Sequence, residues 1–218
     1  MQTLITGAGR GIGRALADRL AADGHSVVGT CRGAVARPVG WLSMDVRDPS
    51  SVRAAAAAFG KGALDLLVCN AGVLLERGET LEKGYPDTLW AETFAANVTG
   101  VFLTVQAFLP NLRRAVGARI AIISSDMGSD ARAPGGSYAY RASKAAVLNL
   151  GRNLATDLRP EGISVGIYHP GWVSTDMGGR AAPVTPEESA RGLAQRFSEL
   201  TPDTTGCFVS YDGRGLQF

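Results

Sequence analysis

A tyrosine and a lysine four positions apart are the side chains best suited to chemistry in this chain. Tyr140 and Lys144 are separated by Arg141-Ala142-Ser143, and residues four apart share one face of a helix. A phenol, with a pKa near 10, is a poor acid or base at neutral pH. A nearby ammonium favours the phenolate and lowers that pKa. The spacing therefore predicts a tyrosine general acid/base assisted by a lysine.

A glycine-rich segment near the N-terminus predicts a site for a dinucleotide. Thr6-Gly7-Ala8-Gly9-Arg10-Gly11-Ile12-Gly13 lies between a predicted strand and a predicted helix. At such a junction the backbone amides and the helix dipole attract a pyrophosphate. We expect Gly7 to allow a tight turn, Gly11 to let the backbone approach the phosphates, and Gly13 to let the helix pack on the strand.

The end of the second predicted strand indicates which dinucleotide binds. An NAD site usually places an Asp or Glu there for the ribose 2′-hydroxyl, but the sequence is Gly29-Thr30-Cys31-Arg32-Gly33. Arg32 and Arg10 can pair with a 2′-phosphate, which a carboxylate would repel. NADP(H) is therefore favoured over NAD(H), and the alternative is that both arginines are solvated surface residues.

Short apolar runs alternate with helical patterns along the chain and must position these groups. We predict strands at 3–6, 26–31, 41–45, 64–70, 119–124, 163–168 and 207–210, and helices at 11–22, 50–59 (capped by Ser50), 89–112, 138–158 and from 186 onward. This alternation predicts a single-domain α/β Rossmann fold over 1–218, with a doubly wound parallel sheet of about seven strands flanked by helices on both faces. A segment rich in Gly, Pro and Ala, about 176–186, is interpreted as a mobile substrate loop.

Composition excludes several other classes of protein. The 218 residues carry a net charge of only +2 with no basic cluster, which argues against nucleic-acid binding. The three cysteines form no CxxC pair, as is typical of a reduced cytoplasmic protein. With two histidines and scattered carboxylates, no metal-ligand spacing is found. No apolar stretch approaches a membrane span, and the early strand leaves no room for a signal peptide.

Further motifs follow in a recognisable order. They are Asp45-Val46, Asn70-Ala71-Gly72, Asn97, Ser125, Tyr140-x-x-x-Lys144, Pro170-Gly171 and Thr175, together with the glycine-rich segment. In this order and spacing the chain resembles the short-chain dehydrogenase/reductase family over nearly its whole length. The segments 127–129, 135–141 and 169–179 look like the branch that contains sniffer-type carbonyl reductases and C-factor-like proteins.

The resemblance implies a role for each catalytic candidate. Tyr140 would give a proton to the carbonyl oxygen as hydride arrives, and take it back in the reverse reaction. Lys144 would lower the phenol pKa and bind the nicotinamide ribose. Ser125 would hydrogen-bond the substrate oxygen. Asn97 would kink its helix and hold a water that links Lys144 to solvent.

The resemblance also implies the cofactor contacts. Asp45 would bind the adenine amino group beside the Val46 backbone, Asn70 and Gly72 would lie along the adenosine ribose, and Thr175 would bind the carboxamide. The full set of expected cofactor-binding positions is Gly7, Arg10, Gly11, Ile12, Gly13, Arg32, Asp45, Val46, Asn70, Ala71, Gly72, Tyr140, Lys144, Pro170, Gly171, Val173 and Thr175.

Several alternatives stay open at this stage. Fourteen residues separate Ser125 from Tyr140, a longer gap than the family commonly has, so Ser124 is a second candidate for the substrate oxygen. Trp172 and Met177 are candidates to line the substrate pocket, and the alternative for Trp172 is that it packs under the loop. Tyr138 and Arg141 face either the substrate or solvent.

The sequence therefore favours an NADP(H)-dependent carbonyl reductase or alcohol dehydrogenase acting on a small carbonyl or alcohol. The other class is a nucleotide-binding sensor or signalling protein on the same scaffold, although a sensor needs no Ser, Tyr, Lys and Asn set. An extended epimerase is disfavoured, because no substrate domain follows the last strand. A homodimer or homotetramer is expected, since apolar residues on two helices exceed what one sheet face needs: Val101, Val105, Phe108, Val147, Leu150 and Leu154.

Overall fold

Seven parallel strands form one sheet in a computed structural model that describes residues 1–33, 40–76 and 78–218. The strands are β1 (Gln2–Ile5), β2 (Ser26–Cys31), β3 (Trp41–Ser43), β4 (Leu66–Cys69), β5 (Arg119–Ile123), β6 (Ser164–His169) and β7 (Phe208–Ser210). Their order across the sheet is β3-β2-β1-β4-β5-β6-β7, and each neighbouring pair is parallel.

The direction of strand succession reverses between β1 and β4. In an open parallel sheet, the loops that leave the carboxyl ends of two such strands diverge and leave a crevice between them. The glycine-rich loop follows β1, and Asn70-Ala71-Gly72 follows β4. The topology therefore brings two of the sequence motifs to opposite sides of one crevice.

Helices cover both faces of the sheet. They are α1 (Gly11–Ala22), α2 (Pro49–Phe59), α3 (Asp87–Phe94), α4 (Gly100–Leu112), α5 (Tyr138–Leu158) and α6 (Pro186–Ser198), with a π-helical turn, Ala95–Thr99, joining α3 to α4. Alternate strand residues face opposite layers. Leu4 and Ile120 pack with the α2, α4 and α5 side, whereas Ile5 and Ala121 pack with α1 and α6. The predicted doubly wound α/β fold is confirmed.

Some predicted boundaries were wrong by a few residues. Helix α2 begins at Pro49, and Asp48, not Ser50, is its N-cap, since the Asp48 carboxylate accepts a hydrogen bond from the Ser50 amide at 2.8 Å. Strands β3 and β4 are shorter than the predicted 41–45 and 64–70. The excess residues at their carboxyl ends, Met44, Asp45 and Asn70, belong to the loops that line the crevice.

The helical run Asp87–Leu112 corrects the statement about membrane spans. It is 26 residues long with a mean hydropathy of 1.3 in its most apolar window, so by length and composition it could cross a bilayer. Polar residues interrupt this run, so the sequence shows no continuous apolar stretch there. In the fold, Val105 and Phe108 of this run are buried against the sheet, as in the core helix of a globular domain.

The expected subunit interface rested on residues that are mostly core. Val101, Val105, Phe108 and Val147 are all buried within this one chain. Helical periodicity shows that such residues share a face, but it does not reveal which layer covers that face. Leu150 and Leu154 are half-buried, and Phe102 on α4 is exposed.

Candidate active site and cofactor cleft

A cleft of about 530 Å³ opens at the carboxyl ends of β1, β4 and β5. All the expected cofactor-binding residues line it except Gly171 and Val173. The cleft also contains residues outside the expected set: Gly9, Cys31, Met44, Arg47, Val73, Ala96, Ile123, Ser124, Asp176 and Met177. Within the described part of the chain, no group of three His, Cys, Asp or Glu residues is arranged to bind a metal ion.

The glycine-rich loop is tied to the end of β4. The Thr6 hydroxyl accepts hydrogen bonds from the amides of Asn70 (3.0 Å) and Ala71 (2.9 Å). The Asn70 side-chain nitrogen donates in return to the carbonyls of Thr6 (2.9 Å) and Gly7 (3.3 Å). Gly7 has a φ of +66°, which an L side chain rarely adopts. Asn70 was expected along the ribose, and here its amide nitrogen holds the loop.

Gly13 leaves space that these contacts require, and this makes a testable prediction. A Cβ on Gly13 would lie 2.4 Å from Asn70 Nδ2 and 2.5 Å from the Gly7 carbonyl oxygen. Gly13→Ala is expected to destabilise the protein by about 1–3 kcal/mol through overpacking and to weaken NADPH binding. Thermal denaturation and a fluorescence titration with NADPH measure both effects.

The matched control for Gly13→Ala is Gly62→Ala, because a Cβ there meets nothing within 4 Å. The control should bind NADPH like the parent protein. Equal affinity in both variants would contradict the assignment of this loop to the cofactor.

The end of the cleft where the adenosine is expected carries several charged side chains. Asp45 Oδ1 accepts from the Arg47 backbone amide at 3.0 Å, and Oδ2 accepts from Arg47 Nη2 at 2.8 Å. The hydrogen bonds from Arg47 hold the pKa of Asp45 below its usual range. Arg47 also lies 3.5 Å from Glu92. The sequence analysis missed Arg47, although its place two residues after the expected adenine-binding aspartate was a usable signal.

The two arginines expected to select the cofactor both line the cleft. Arg10 Nη1 donates to Asp176 Oδ2 at 2.6 Å, and both side chains are about three-quarters exposed. An exposed pair of this kind contributes about 0–1 kcal/mol, so Arg10 can exchange this partner for a ligand at little cost. Arg32 lies close enough to Asp45 that its charge also lowers the pKa of that carboxyl.

Helix α5 brings Tyr140 and Lys144 to the inner end of the cleft. Both side chains are buried, at 8% and 6% exposure. Lys144 Nζ donates to the Ile123 carbonyl at 3.1 Å and lies 5.5 Å from the centre of the Tyr140 ring. The sequence-based placement of the pair on one helical face thus matches the structure.

Burial sets the protonation of this pair. It raises the pKa of Tyr140 to about 12, with a further increase from the Asp126 charge and a decrease from a hydrogen bond to Ser125. Burial lowers the pKa of Lys144 to about 8. The direction of this shift is opposite to the lowered phenol pKa expected from the sequence, because burial disfavours the charged phenolate. At neutral pH the phenol keeps its proton, as an acid requires.

The two candidate serines have different partners. The Ser124 hydroxyl is buried and donates to the Lys144 backbone carbonyl at 3.2 Å. The Ser125 hydroxyl accepts from the Met127 amide at 3.1 Å, and it lies near enough to the Tyr140 phenol to lower the pKa of that phenol. Geometry therefore favours Ser125 as the partner of Tyr140, and Ser124 as a brace between β5 and α5.

Asn97 lies in the π turn between α3 and α4. Its Oδ1 accepts from the Val73 amide at 2.8 Å, and its Nδ2 donates to the Val73 carbonyl at 2.9 Å and to Ser143 Oγ at 3.0 Å. A π turn widens the helix and frequently marks a functional site. The observed contacts join the loop after β4 to α5, and the expected water relay remains a prediction.

The segment after β6 closes the other side of the cleft. The Thr175 hydroxyl accepts from the Gly178 amide at 3.1 Å, and its side chain packs against Gly11. Gly171 turns the chain with a φ of +86°. Met177 lines the cleft, whereas Trp172 is 57% exposed and its indole nitrogen donates to the Gly178 carbonyl.

The base of the expected mobile loop is fixed by backbone hydrogen bonds. The Ser174 amide donates to the Val184 carbonyl at 2.8 Å, and the Val184 amide donates to the Trp172 carbonyl at 3.2 Å. Tyr138 is partly exposed, and Arg141 Nη1 donates to the Met127 carbonyl at 3.3 Å. Arg141 thus supports the turn that follows Ser125.

A second residue that sequence reasoning missed is Glu76. Its buried carboxylate contacts the first turn of α5. An acid directly after the apolar Val73-Leu74-Leu75 was the available signal.

Comparisons with known proteins agree with the fold. A family profile described as short chain dehydrogenase matches residues 2–184. The C-signal protein of Myxococcus xanthus is 41% identical over 163 residues, which cover 74% of this chain and 97% of that protein. NADPH-bound carbonyl reductase from chicken fatty liver superposes with a TM-score of 0.89 at 32% identity, covering 100% of this chain and 98% of the other. Carbonyl reductase Sniffer of D. melanogaster gives 0.91 at 29%, covering 100% and 99%.

Proposed function

Because the chain belongs to the short-chain dehydrogenase family, we propose that it is an NADP(H)-dependent oxidoreductase. It moves a hydride reversibly between the nicotinamide and a small carbonyl or alcohol substrate. The observation that carries this proposal is the pair Tyr140 and Lys144, which lines the same cleft as the glycine-rich loop. Ser125 lies beside the Tyr140 phenol, just outside the lining of the cleft. When bound, the cofactor supplies the hydride.

The residues of the cleft fit a dinucleotide. Gly7, Gly11 and Gly13 have no Cβ, so a cofactor phosphate could come close to the backbone there. A side chain at Gly7 or Gly11 would strain the backbone, which has a positive φ at both positions, and a Cβ on Gly13 would collide with Asn70 and Gly7. Asp45 and Val46 would meet the adenine, Ala71 and Gly72 the ribose, and Thr175 the carboxamide. Gly171 and Val173 act from outside the cleft, by directing the chain toward Thr175.

In the reductive direction Tyr140 gives its phenolic proton to the carbonyl oxygen. Ser125 hydrogen-bonds the same oxygen and stabilises its developing negative charge. Lys144 stabilises the phenolate that is left and binds the nicotinamide ribose. Asn97 holds the loop after β4 against α5, and a water bound near it returns a proton from solvent through Lys144.

The choice of NADP(H) rests on Arg10 and Arg32 and on the absence of an acid at the end of β2. One of the similar solved structures is NADPH-bound. Arg32→Asp is expected to lower the NADPH/NADH ratio of kcat/KM by about 10-fold or more, the equivalent of one lost charge-assisted hydrogen bond. Steady-state kinetics with both cofactors measure it.

Arg53→Asp is the matched control for this charge reversal, because Arg53 is exposed on α2 and does not line the cleft. It should leave the ratio unchanged. An unchanged ratio in Arg32→Asp as well would refute the role of Arg32.

Apolar side chains are available for a substrate. Met177 lines the cleft, and Leu75, Tyr138 and Trp172 are exposed apolar residues outside its lining. We therefore propose a fairly apolar aldehyde, ketone or diketone as substrate. A screen of NADPH consumption over these three classes, with Tyr140→Phe as blank, tests the proposal.

A sensor or signalling role is the second candidate, favoured by the 41% identity to C-signal. The retained Ser, Tyr, Lys and Asn set favours the enzyme, since a sensor has no need of a proton donor. We also propose a cytoplasmic homodimer or homotetramer. The free thiols of Cys31, Cys69 and Cys207 fit a reducing compartment, and exposed Phe102 and half-buried Leu150 are available to a partner subunit.

A further inference from the structure

The chain enters the catalytic helix α5 in an unusual conformation. Gly135, Gly136 and Ser137 have successive φ values of +84°, +68° and +48°, and Ser137 is the one non-glycine residue with a positive φ in the described part of the chain. An N-cap residue ordinarily has an extended backbone and accepts a hydrogen bond with its side chain. Ser137 does neither, so the first amides of α5 need an acceptor from elsewhere.

Glu76 supplies that acceptor. Glu76 is 8% exposed, and its carboxylate accepts hydrogen bonds from the Ala139 amide (Oε2, 3.1 Å) and from the Tyr140 amide (Oε1, 2.6 Å). The first amides of a helix have no partner within the helix, and a negative charge is favourable there. Charge-assisted bonds of this kind are about twice as strong as neutral ones.

The same loop is attached to α5 at a second point. Three residues before Glu76, Val73 pairs through both backbone groups with the side chain of Asn97. Asn97 in turn donates to Ser143 Oγ, and Ser143 donates to the Tyr140 carbonyl at 2.7 Å. The amide and the carbonyl of Tyr140 are therefore both connected to the loop that borders the cofactor cleft.

From these contacts we infer that Glu76 is a positioning residue for Tyr140, an inference that rests on the proposed function. Glu76 does not line the cleft, so it acts through the backbone of Tyr140. It fixes the start of α5 relative to the cofactor side of the site, and so sets the distance from the phenol to the carbonyl oxygen. A displacement of about 1 Å can reduce a rate about 100-fold.

The test is Glu76→Gln, which preserves shape and leaves one oxygen for one amide while placing an NH₂ group against the other. We expect kcat to fall about 10-fold or more, with KM for NADPH within about twofold of the parent value. Glu82→Gln, at an exposed position after the same loop, is the matched control and should match the parent enzyme. Circular dichroism and thermal denaturation establish whether each variant is folded. If Glu76→Gln does not fold, the same kinetic measurements are made on Glu76→Asp, which keeps the charge on a shorter side chain.

The possible outcomes separate the two proposals. A parent enzyme with Tyr140-dependent turnover and a Glu76→Gln variant of unchanged kcat would overturn the positioning role alone. A parallel loss of kcat and of NADPH affinity would overturn it too, because that pattern indicates general disruption of the fold. A parent protein without Tyr140-dependent turnover would overturn the proposed function, and the positioning role with it.

Discussion

Tyr140→Phe is expected to remove almost all carbonyl reduction while NADPH still binds. The substitution deletes one hydroxyl from a ring that is buried in α5, so the packing of the ring is retained. It removes the only group in the proposed mechanism that gives a proton to the substrate oxygen. A positioned general acid contributes about 10²–10⁴-fold to a rate, and a loss of that size in kcat is predicted.

The measurement for Tyr140→Phe pairs steady-state NADPH consumption with a fluorescence titration of NADPH binding. Tyr168→Phe is the matched control, because Tyr168 is also buried but its hydroxyl faces the Arg196 carbonyl on α6. The control should turn over substrate like the parent enzyme. Equal turnover by Tyr140→Phe and the parent would contradict the mechanism.

Lys144→Met is expected to have the second largest effect, a fall in kcat/KM of about 100-fold. The ammonium lies 5.5 Å from the Tyr140 ring centre, and its charge is the nearby compensation for a phenolate inside a buried site. Thermal stability should change little, since burial disfavours this charge in the folded protein and methionine has a similar length. A large loss of stability would show that Lys144 is structural.

The pKa values of Lys144 and Tyr140 determine how the rate of reduction depends on pH. The pKa of Lys144 is about 8 and that of Tyr140 about 12, so the lysine loses its charge first as pH rises. Reduction should therefore be fastest below pH 8 and fall as pH rises through 8, while the phenol is still protonated. Rate profiles between about pH 6 and 10 test this. In Lys144→Met the residual rate should lack the step, and a step of equal size there would assign it to another group.

Much of the fold could be predicted because its signals are local. The glycine-rich junction and the strand–helix alternation are each encoded within a few consecutive residues. The Tyr140–Lys144 pair needed only the helical repeat.

What the sequence could not reveal depends on how distant segments meet. The choice between Ser124 and Ser125 depends on which hydroxyl turns toward Tyr140. The contact of Glu76 with α5 depends on the path of a loop that lies 63 residues before Ala139 in the chain. The direction of the Tyr140 pKa was missed for a related reason, since burial is a property of the assembled core.

The central claim is that this chain moves hydride from NADPH to a carbonyl carbon. The direct measurement is reduction of a substrate from the screen with NADPH deuterated at nicotinamide C4, followed by mass spectrometry and NMR of the alcohol. We expect one deuterium on the carbinol carbon, delivered from one face of the nicotinamide, and deuterium transfer about 10²–10⁴-fold slower with Tyr140→Phe. An alcohol without deuterium, or deuterium transfer that persists unchanged in Tyr140→Phe, would contradict it.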